Sequence, residues 1–419
     1  MEVFKFGGAS VKDAQAVQNM ARILDNIGDK RKLVVISAMG KTTNALERAI
    51  NYYVQNKTVP LTYLEEIKQF HLDVSTQLFL SAPAQLGQKI EAFFKTIITF
   101  LENNKNWDYN YIYDQVICYG ELLSTVIISE YLSFKNIENT WLDAREIIQT
   151  DSTYREAKVD WELTKIAVQQ AVNRQKLSIT QGFVGGSFNN NSTSLGREGS
   201  DYSAAIFAYC LDAKQVCIWK DVDGFYNGDP KIFPNTRVLE QISYREAIEL
   251  AFYGASIIHP KTLQPLQRKE IPLYIKSFYK PEKVGTLITN GPKIKPKIPC
   301  FIVKHNLVLI SLSTLDFSFF VEENISEVFA LLHHYQVKVD LIQNSAISFS
   351  LCVDNRFNLV DDLLLHLKKK YKVSFNKNVS LYTVRHFDNA TIASIENVKN
   401  ILLKQQTRET VQWVTQEKT

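Results

Sequence analysis

The first 285 residues alternate between strand-like and helix-like segments. The strand-like segments include KLVVISAMG (32–40), QKLSITQGFVGG (175–186), KQVCIWKDVDGFY (214–226) and IPLYIKSF (271–278). Helical patterns such as YGELLSTVIISEYLSF and DYSAAIFAYCLDA lie between them. Strands that alternate with helices form largely parallel sheets, which bind ligands at the carboxyl ends of their strands. We therefore predict an α/β fold with a mainly parallel central sheet flanked by helices, and one site where the loops after the strands meet.

The segment FKFGGASV (4–11) places a lysine inside a strand and two glycines directly after it. Gly7 and Gly8 would let the backbone approach a ligand closely, and Ser10 opens an amphipathic helical pattern whose N-terminus would attract an anion. Lys5 would add a full positive charge. These features fit a phosphate cradle, and they fit equally an ordinary tight turn with a lysine at its rim. The segment matches neither the Walker A loop nor G-x-G-x-x-G.

The loop STSLGREGSDYSAA (192–205) carries the strongest chemical signal. Arg197 offers a planar guanidinium suited to a carboxylate or phosphate, and Gly196, Gly199 and Ser200 offer backbone donors. Asp201 stands at the start of the next helix, where it is either a functional carboxylate or a helix N-cap. We favour a functional loop, because such residues are dense here.

Two further segments are candidates. In KDVDGFYNGDPK (220–231) the order of the aspartates differs from that of an EF-hand calcium loop. Tyr226 and Lys231 fit better as a wall for a nucleotide base and its phosphates. Glu121, in YGELLS (119–124), is a carboxylate in an otherwise apolar stretch. It either caps a helix at the surface or pairs with a cation in the interior.

Composition excludes several classes of protein. The net charge of +4 over 419 residues indicates no broad surface for nucleic acid or membrane. We see no secretory signal and no apolar run as long as a membrane span, so we expect a cytoplasmic protein. The five cysteines lack C-x-x-C spacing, which is typical of reduced thiols, and the seven histidines are scattered. We therefore expect no dedicated metal site.

The pattern changes near residues 284–299, where VGTLITNGPKIKPKIP reads as a linker. A β-α-β-β-α-β order follows, which predicts a ferredoxin-like repeat at about 305–376. A second, shortened copy at about 377–419 comprises strand VSLYTVRHF, helix IENVKNILLKQ and strand TVQWVTQ. We therefore predict a first domain over 1–285, a linker over 286–299 and a second region over 300–419.

The chain resembles the aspartate kinases. The segments KFGGASV, SAMGKTTN, GELLS, LDAREIIQTD, TQGFVGG, TSLGREGSDYSAA, DVDGFYNGDPK and GASIIHPKTLQPL occur in the order seen in that family. The C-terminal region is similar to the paired ACT domains of these enzymes. The resemblance implies an amino-acid-kinase domain that transfers the γ-phosphoryl group of ATP, bound with Mg²⁺, to the side-chain carboxylate of L-aspartate. This reaction opens the pathway toward lysine, threonine and methionine.

The same resemblance implies roles for individual residues. Lys5 and Asp201 would be catalytic, Lys5 by holding the transferring phosphoryl group and Asp201 by organising the site. Glu121 would pair with the substrate ammonium, and Arg197 would bind a substrate carboxylate. The remaining substrate contacts would be Ser37, Thr43 and Ser200. The ATP site would comprise Lys5, Gly7, Gly8, Ser10, Lys220, Asp221, Tyr226 and Lys231.

The ACT region implies regulation and assembly. In the family such domains pair across subunits and bind an end-product amino acid, so we expect a homodimer or a dimer of dimers. Asp340 would meet the effector ammonium and Ser345 its carboxylate, with lysine preferred over threonine as the effector. A purely structural dimerisation module is the alternative for this region.

Three residues depart from the family pattern. Glu198 stands where glycine is usual, Ser256 where many relatives carry a lysine, and Lys220 where many carry threonine. Two other functions stay open. One is an amino-acid kinase with a different small acid as substrate, and the other is a catalytically silent amino-acid sensor.

Overall fold

The computed structural model describes residues 1–28, 31–79, 83–255, 257–316, 318–397 and 399–416. The chain divides into two compact units. The first unit comprises Met1–Phe225, Val238–Ile248 and Ile257–Ile294. The second unit comprises Tyr226–Arg237, Glu249–Ser256 and Lys295–Thr419.

A nine-stranded sheet forms the centre of the first unit, and a small three-stranded sheet lies in the same part of the chain. The strands are β1 (Glu2–Phe6), β2 (Lys32–Ile36), β3 (Asn139–Leu142), β4 (Gln149–Thr150), β5 (Leu177–Gln181), β6 (Val184–Ser187), β7 (Ser192–Ser194), β8 (Val216–Lys220), β9 (Gln241–Ser243), β10 (Leu273–Ser277), β11 (Thr286–Thr289) and β12 (Ile294–Lys295). The large sheet has the order β12-β9-β11-β10-β8-β1-β2-β5-β3, and the small one β4-β6-β7. The strand β11 falls within the stretch expected as a linker.

The five adjacent strands β10, β8, β1, β2 and β5 are the apolar segments that the sequence singles out. Each runs parallel to its neighbour. The strand β11 runs antiparallel to β10. The mainly parallel α/β sheet is thus confirmed. Its central strands are buried on both faces: β2 has no exposed residue, and in β1 the residues Val3 to Phe6 are buried.

The helices of this part of the chain pack against the sheet or against one another, and many of them contribute apolar residues to the core. They are α1 (Ala14–Ile27), α2 (Thr42–Asn56), α3 (Leu61–Phe79), α4 (Ala84–Asn103), α5 (Tyr109–Ile117), α6 (Tyr119–Phe134), α7 (Ala144–Ile147), α8 (Trp161–Ala171), α9 (Gly199–Leu211), α10 (Tyr244–Tyr253) and α11 (Pro260–Arg268). The stretch Tyr109–Phe134 is apolar and long enough to cross a membrane by length and composition, but most of it is buried inside the protein. It is therefore a core segment of the first unit.

The second unit contains a six-stranded antiparallel sheet of order β14-β15-β13-β16-β18-β17. Its strands are β13 (Cys300–Ser313), β14 (Lys338–Asn344), β15 (Ser348–Asp354), β16 (Lys372–Arg385), β17 (Asn400–Gln406) and β18 (Thr410–Gln416). Its helices are α12 (Glu322–His334), α13 (Val360–Leu367) and α14 (Asn389–Glu396). The order β14-β15-β13-β16 is that of a βαββαβ ferredoxin-like repeat, as the sequence predicts.

The second repeat obtains its fourth strand from the start of the region. Residues Cys300–Lys304 of β13 pair with Leu381–Arg385 of β16, while Leu307–Ser313 belong to the first repeat. The predicted helix IENVKNILLKQ is wrong in position. Asp388 caps the earlier helix α14 through its side chain, and Asn400–Gln406 alternates exposed and half-buried residues in pairing with β18. A period of two favours a strand over a helix.

Candidate active site

A cavity of about 940 Å³ opens in the first unit beside the carboxyl ends of β1, β2 and β8. Loops after these strands and the N-terminus of α9 line it, as expected for a parallel sheet. Many of the sequence-predicted site residues meet here. Those that line the cavity are Lys5, Gly8, Ser37, Thr43, Glu121, Arg197, Ser200, Asp201 and Lys220.

The turn after β1 depends on its two glycines. A Cβ atom on Gly7 would lie 3.3 Å from Lys5 Nζ, and one on Gly8 would lie 2.9 Å from the carbonyl oxygen of Ala38. Side chains here would therefore crowd the lysine and the neighbouring loop. The helix predicted from Ser10 begins later, because Gly8–Val11 forms a 3₁₀ turn and Asp13 caps α1 at Ala14. Ser10 is buried, and its hydroxyl lies 3.5 Å from the carbonyl oxygen of Trp219.

Asp201 lies in the first turn of α9 and is only 3% exposed. Its Oδ1 lies 2.7 Å from Lys5 Nζ and its Oδ2 lies 3.2 Å from Lys220 Nζ. Burial acts to raise the pKa of this carboxyl, but Lys5 and Lys220 together hold the pKa below its usual value. Asp201 is therefore an ionised carboxylate between two ammonium groups, and it does not serve as an N-cap; Glu198 takes the N-cap position.

Glu121 lies in the first turn of α6 and is 3% exposed, so it is buried and is not a cap at the surface. Its Oε1 accepts a hydrogen bond from the backbone N–H of Ala38, at 3.3 Å. Its Oε2 is buried and has no hydrogen-bond partner among the described residues. Burial raises the pKa of this carboxyl to about 8. A buried carboxyl group with one oxygen unpartnered suits a cationic group of a ligand, which would favour the ionised form of the carboxyl.

The loop around Arg197 supplies further polar groups. Arg197 is exposed and lines the cavity, with Ser200 half-buried beside it. Glu198, which departs from the family pattern, adopts a left-handed backbone with φ of 53°. Its carboxylate also lines the cavity, and its Oε2 is buried without a partner among the described residues. Among the described residues, this oxygen has no hydrogen-bond donor to compensate its burial.

Arg155 and Tyr113 line the cavity and were missed by the sequence analysis. The guanidinium of Arg155 lies 4.4 Å from the ring centre of Tyr113. Buried Asp114 holds the backbone at Arg155 in place, because it accepts hydrogen bonds from the backbone N–H groups of Arg155 and Ser194. Arg155 and Tyr113 are far apart in the sequence and come together only in the folded chain. No local motif around either residue indicates a binding role.

Other predicted residues lie elsewhere. Asp221 is exposed and follows directly after β8. Tyr226 and Lys231 belong to the second unit, so their role toward a nucleotide stays a prediction. Ser256 lies outside the described residues.

The predicted effector residues lie in the first ferredoxin-like repeat. The Asp340 side chain is only 5% exposed, and its Oδ1 pairs with Lys304 Nζ at 2.7 Å. Ser345 is exposed in the turn between β14 and β15, where its hydroxyl lies 2.7 Å from that of Ser348. The carboxylate of Asp340, which the resemblance assigns to an effector ammonium, is therefore already paired with an ammonium group of the chain itself.

Residues 1–277 of the chain match the amino acid kinase family. The chain therefore belongs to this family.

Within the family, the chain is an aspartate kinase. It is 31% identical over 389 residues to the lysine-sensitive aspartokinase 3 of Escherichia coli (strain K12), across 90% of this chain and 85% of that relative. The crystal structure of E. coli aspartokinase III in complex with lysine and aspartate (T-state) matches with a TM-score of 0.84 and 27% identity, over 99% of this chain and 95% of that chain. The same enzyme with aspartate and ADP (R-state) matches with a TM-score of 0.79 and 26% identity, over 99% and 96%.

Proposed function

We propose that this enzyme transfers the γ-phosphoryl group of ATP to the side-chain carboxylate of L-aspartate, giving 4-phospho-L-aspartate and ADP. A carboxylate oxygen of aspartate forms the new P–O bond while the bond from the γ-phosphorus to the β,γ-bridging oxygen breaks. The acceptor is already ionised, so no protein base is needed. The work left to the protein is to position the reactants and to neutralise charge.

The observation that carries the proposal is the unpartnered Oε2 of Glu121 in a cavity that also holds Lys5, Asp201 and Arg197. A buried carboxyl group without a partner is suited to the α-ammonium of an amino acid, which favours its ionised form. Arg197 lies exposed on the same cavity, where its fork can bind a substrate carboxylate. Lys5 provides the ammonium group for the phosphoryl group. Aspartate and ADP bound to the similar E. coli enzyme support this choice of ligands.

Mg²⁺ would enter with the nucleotide. Among the described residues no cluster of three or more His, Cys, Asp or Glu side chains could hold a metal ion. Mg²⁺ is commonly bound by one or two carboxylates plus substrate phosphates. Both oxygens of Asp201 already face lysines, so the buried, unpartnered Oε2 of Glu198 is the carboxylate oxygen that fits this role. The ion would neutralise phosphate charge.

The same proposal includes regulation by lysine and assembly through the ACT region. It also includes a cytoplasmic location and a place at the start of lysine, threonine and methionine synthesis. Lysine bound to the similar E. coli enzyme supports lysine as the effector. Lysine that binds an inactive arrangement better would shift the population toward it.

The test is formation of an acyl phosphate, trapped with hydroxylamine as a hydroxamate, from ATP with aspartate, glutamate or other small acids. We expect aspartate to yield the hydroxamate, and we expect ADP to form in an amount equal to that of the hydroxamate. Turnover with glutamate and not aspartate would favour a different amino-acid kinase. Ligand binding without any turnover would favour a silent sensor.

A further inference from the structure

We propose that Lys220 is a second catalytic lysine, whose ammonium group acts together with that of Lys5 on the phosphoryl group during transfer. This inference rests on the proposed kinase reaction and deepens it. The resemblance to the aspartate kinases implies only a place in the nucleotide site for Lys220, which stands where many relatives carry threonine.

The sheet places the two lysines side by side. Lys5 on β1 lies opposite Ile218 on the parallel strand β8. Lys220 follows Ile218 by two residues, and residues two apart on a strand point to the same face. Both side chains therefore project from one face of adjacent strands, near the carboxyl ends of both. Both line the cavity.

Asp201 aims the two ammonium groups. Each of its oxygens faces one lysine, at 2.7 Å for Lys5 and 3.2 Å for Lys220. Lys220 also donates to the carbonyl oxygen of Ile257. A lysine ammonium has three donors, so these two contacts leave Lys220 one donor for a ligand in the cavity. Asp201 is thereby a positioning residue for both lysines.

The charge balance of this cluster suits phosphoryl transfer. Two ammonium groups against one carboxylate leave a net positive charge beside the cavity. The transition state of phosphoryl transfer spreads negative charge over the equatorial oxygens of the transferring group. Cations that are already held in place stabilise such charge without reorganising during the reaction. A purely structural role would instead limit Lys220 to holding Asp201 and the backbone at Ile257.

Lys220→Met removes the charge at nearly constant volume, and Lys220→Gln also keeps a hydrogen-bond donor for Asp201 and Ile257. The matched control is Lys276→Met on the adjacent strand β10. Lys276 lies opposite Trp219, so it projects from the other face of the sheet, with its ammonium 5.2 Å from that indole ring.

The experiment measures single-turnover formation of hydroxamate at saturating ATP and aspartate, the Kd of ADP by calorimetry and the KM of aspartate in the steady state. Both Lys220 variants should lower the single-turnover rate by roughly 10²–10³-fold, the usual effect of losing one transition-state donor. The Kd of ADP and the KM of aspartate should change by less than about threefold, because the contact strengthens only in the transition state. Lys276→Met should react at the wild-type rate.

A wild-type rate in Lys220→Gln would overturn the proposal, even if Lys220→Met fails to fold. So would a loss of ADP affinity equal to the loss of rate, since that places Lys220 on the nucleotide ground state. Combining Lys5→Met with Lys220→Gln should cost less than the product of the single effects if the lysines act as a unit. If wild type forms no aspartyl hydroxamate, the proposed function itself fails. If wild type is active and Lys220→Gln equals it, only the role of Lys220 fails.

Discussion

Aspartate binding should release a proton from Glu121. Burial raises the pKa of this carboxyl to about 8 in the free protein, so at pH 7 the group is mostly protonated. An ammonium group placed against Oε2 favours the ionised form and lowers the pKa by about 1–3 pH units. The binding reaction therefore ionises Glu121 and releases its proton to the buffer.

The size of the effect follows from the pKa. With a pKa of about 8, roughly 0.9 of the molecules carry the proton at pH 7 and about half carry it at pH 8. Up to roughly 0.9 proton is thus released per aspartate at pH 7, and the number falls to about half a proton at pH 8.

Calorimetric titration with aspartate in phosphate and in Tris measures this number, because the two buffers differ in ionisation enthalpy. The observed enthalpy should differ between them at pH 7, and the difference should shrink toward pH 8. Glu121→Gln, titrated at higher aspartate concentration, should show no buffer dependence. Equal enthalpies for wild type in both buffers would refute the assignment of Glu121 to the substrate ammonium.

The same pKa makes a prediction for the free protein. The unfolded carboxyl ionises near pH 4.5, whereas the folded one ionises near pH 8. Stability that is present below pH 4.5 is therefore lost as the pH rises toward 8, by roughly 3 kcal/mol at pH 7 and about 1.4 kcal/mol per pH unit. Glu121→Gln should unfold at a higher temperature than wild type at pH 8 and at a similar one at pH 4.5, while binding aspartate more weakly.

Four further outcomes are expected. Lys5→Ala should lower kcat by roughly 10²-fold or more with little change in the aspartate KM; near-wild-type turnover would remove Lys5 from the mechanism. Arg197→Lys should raise the aspartate KM about tenfold, because a point charge does not replace a bidentate fork, and normal saturation would contradict this. Burial lowers the pKa of His71 from 6.5 to about 4, so wild type should lose roughly 3 kcal/mol of unfolding free energy as the pH falls between these values, and His71→Gln should not. Lys304→Met should tighten L-lysine binding about tenfold in calorimetry by freeing the carboxylate of Asp340, and additional Asp340→Ala should abolish the gain; no change would exclude this carboxylate as the effector contact.

The parallel sheet and the first ferredoxin-like repeat were predictable because they rest on local patterns. Buried strands between helices read as continuous apolar runs, and β1, β2, β5, β8 and β10 appear where those runs lie. The turn at Gly7 and Gly8 is equally local. The candidate residues after these strands were expected to meet because parallel strands share one carboxyl edge, and Lys5, Ser37, Arg197 and Asp201 do line one cavity.

Other features depend on residues far apart in the chain. Ile401 and Leu403 suit a helix or a strand, and pairing with β18 places them in a strand. Residues Cys300–Lys304 serve the second repeat only because β16 returns beside them.

The electrostatics of the cavity have the same non-local origin. The charge state of Glu121 follows from its burial between segments that are separate in sequence. The pairing of Asp201 with both Lys5 and Lys220 requires β1, β8 and α9 to be assembled first. The local sequence determines the backbone preference of a residue. Its burial and its Coulomb interactions depend instead on all the groups that the folded chain brings within a few ångströms. The residues that carry the proposed chemistry could therefore be predicted from the sequence. The pKa of Glu121 and the position of a second lysine beside Asp201 depend on the assembled sheet and its helices.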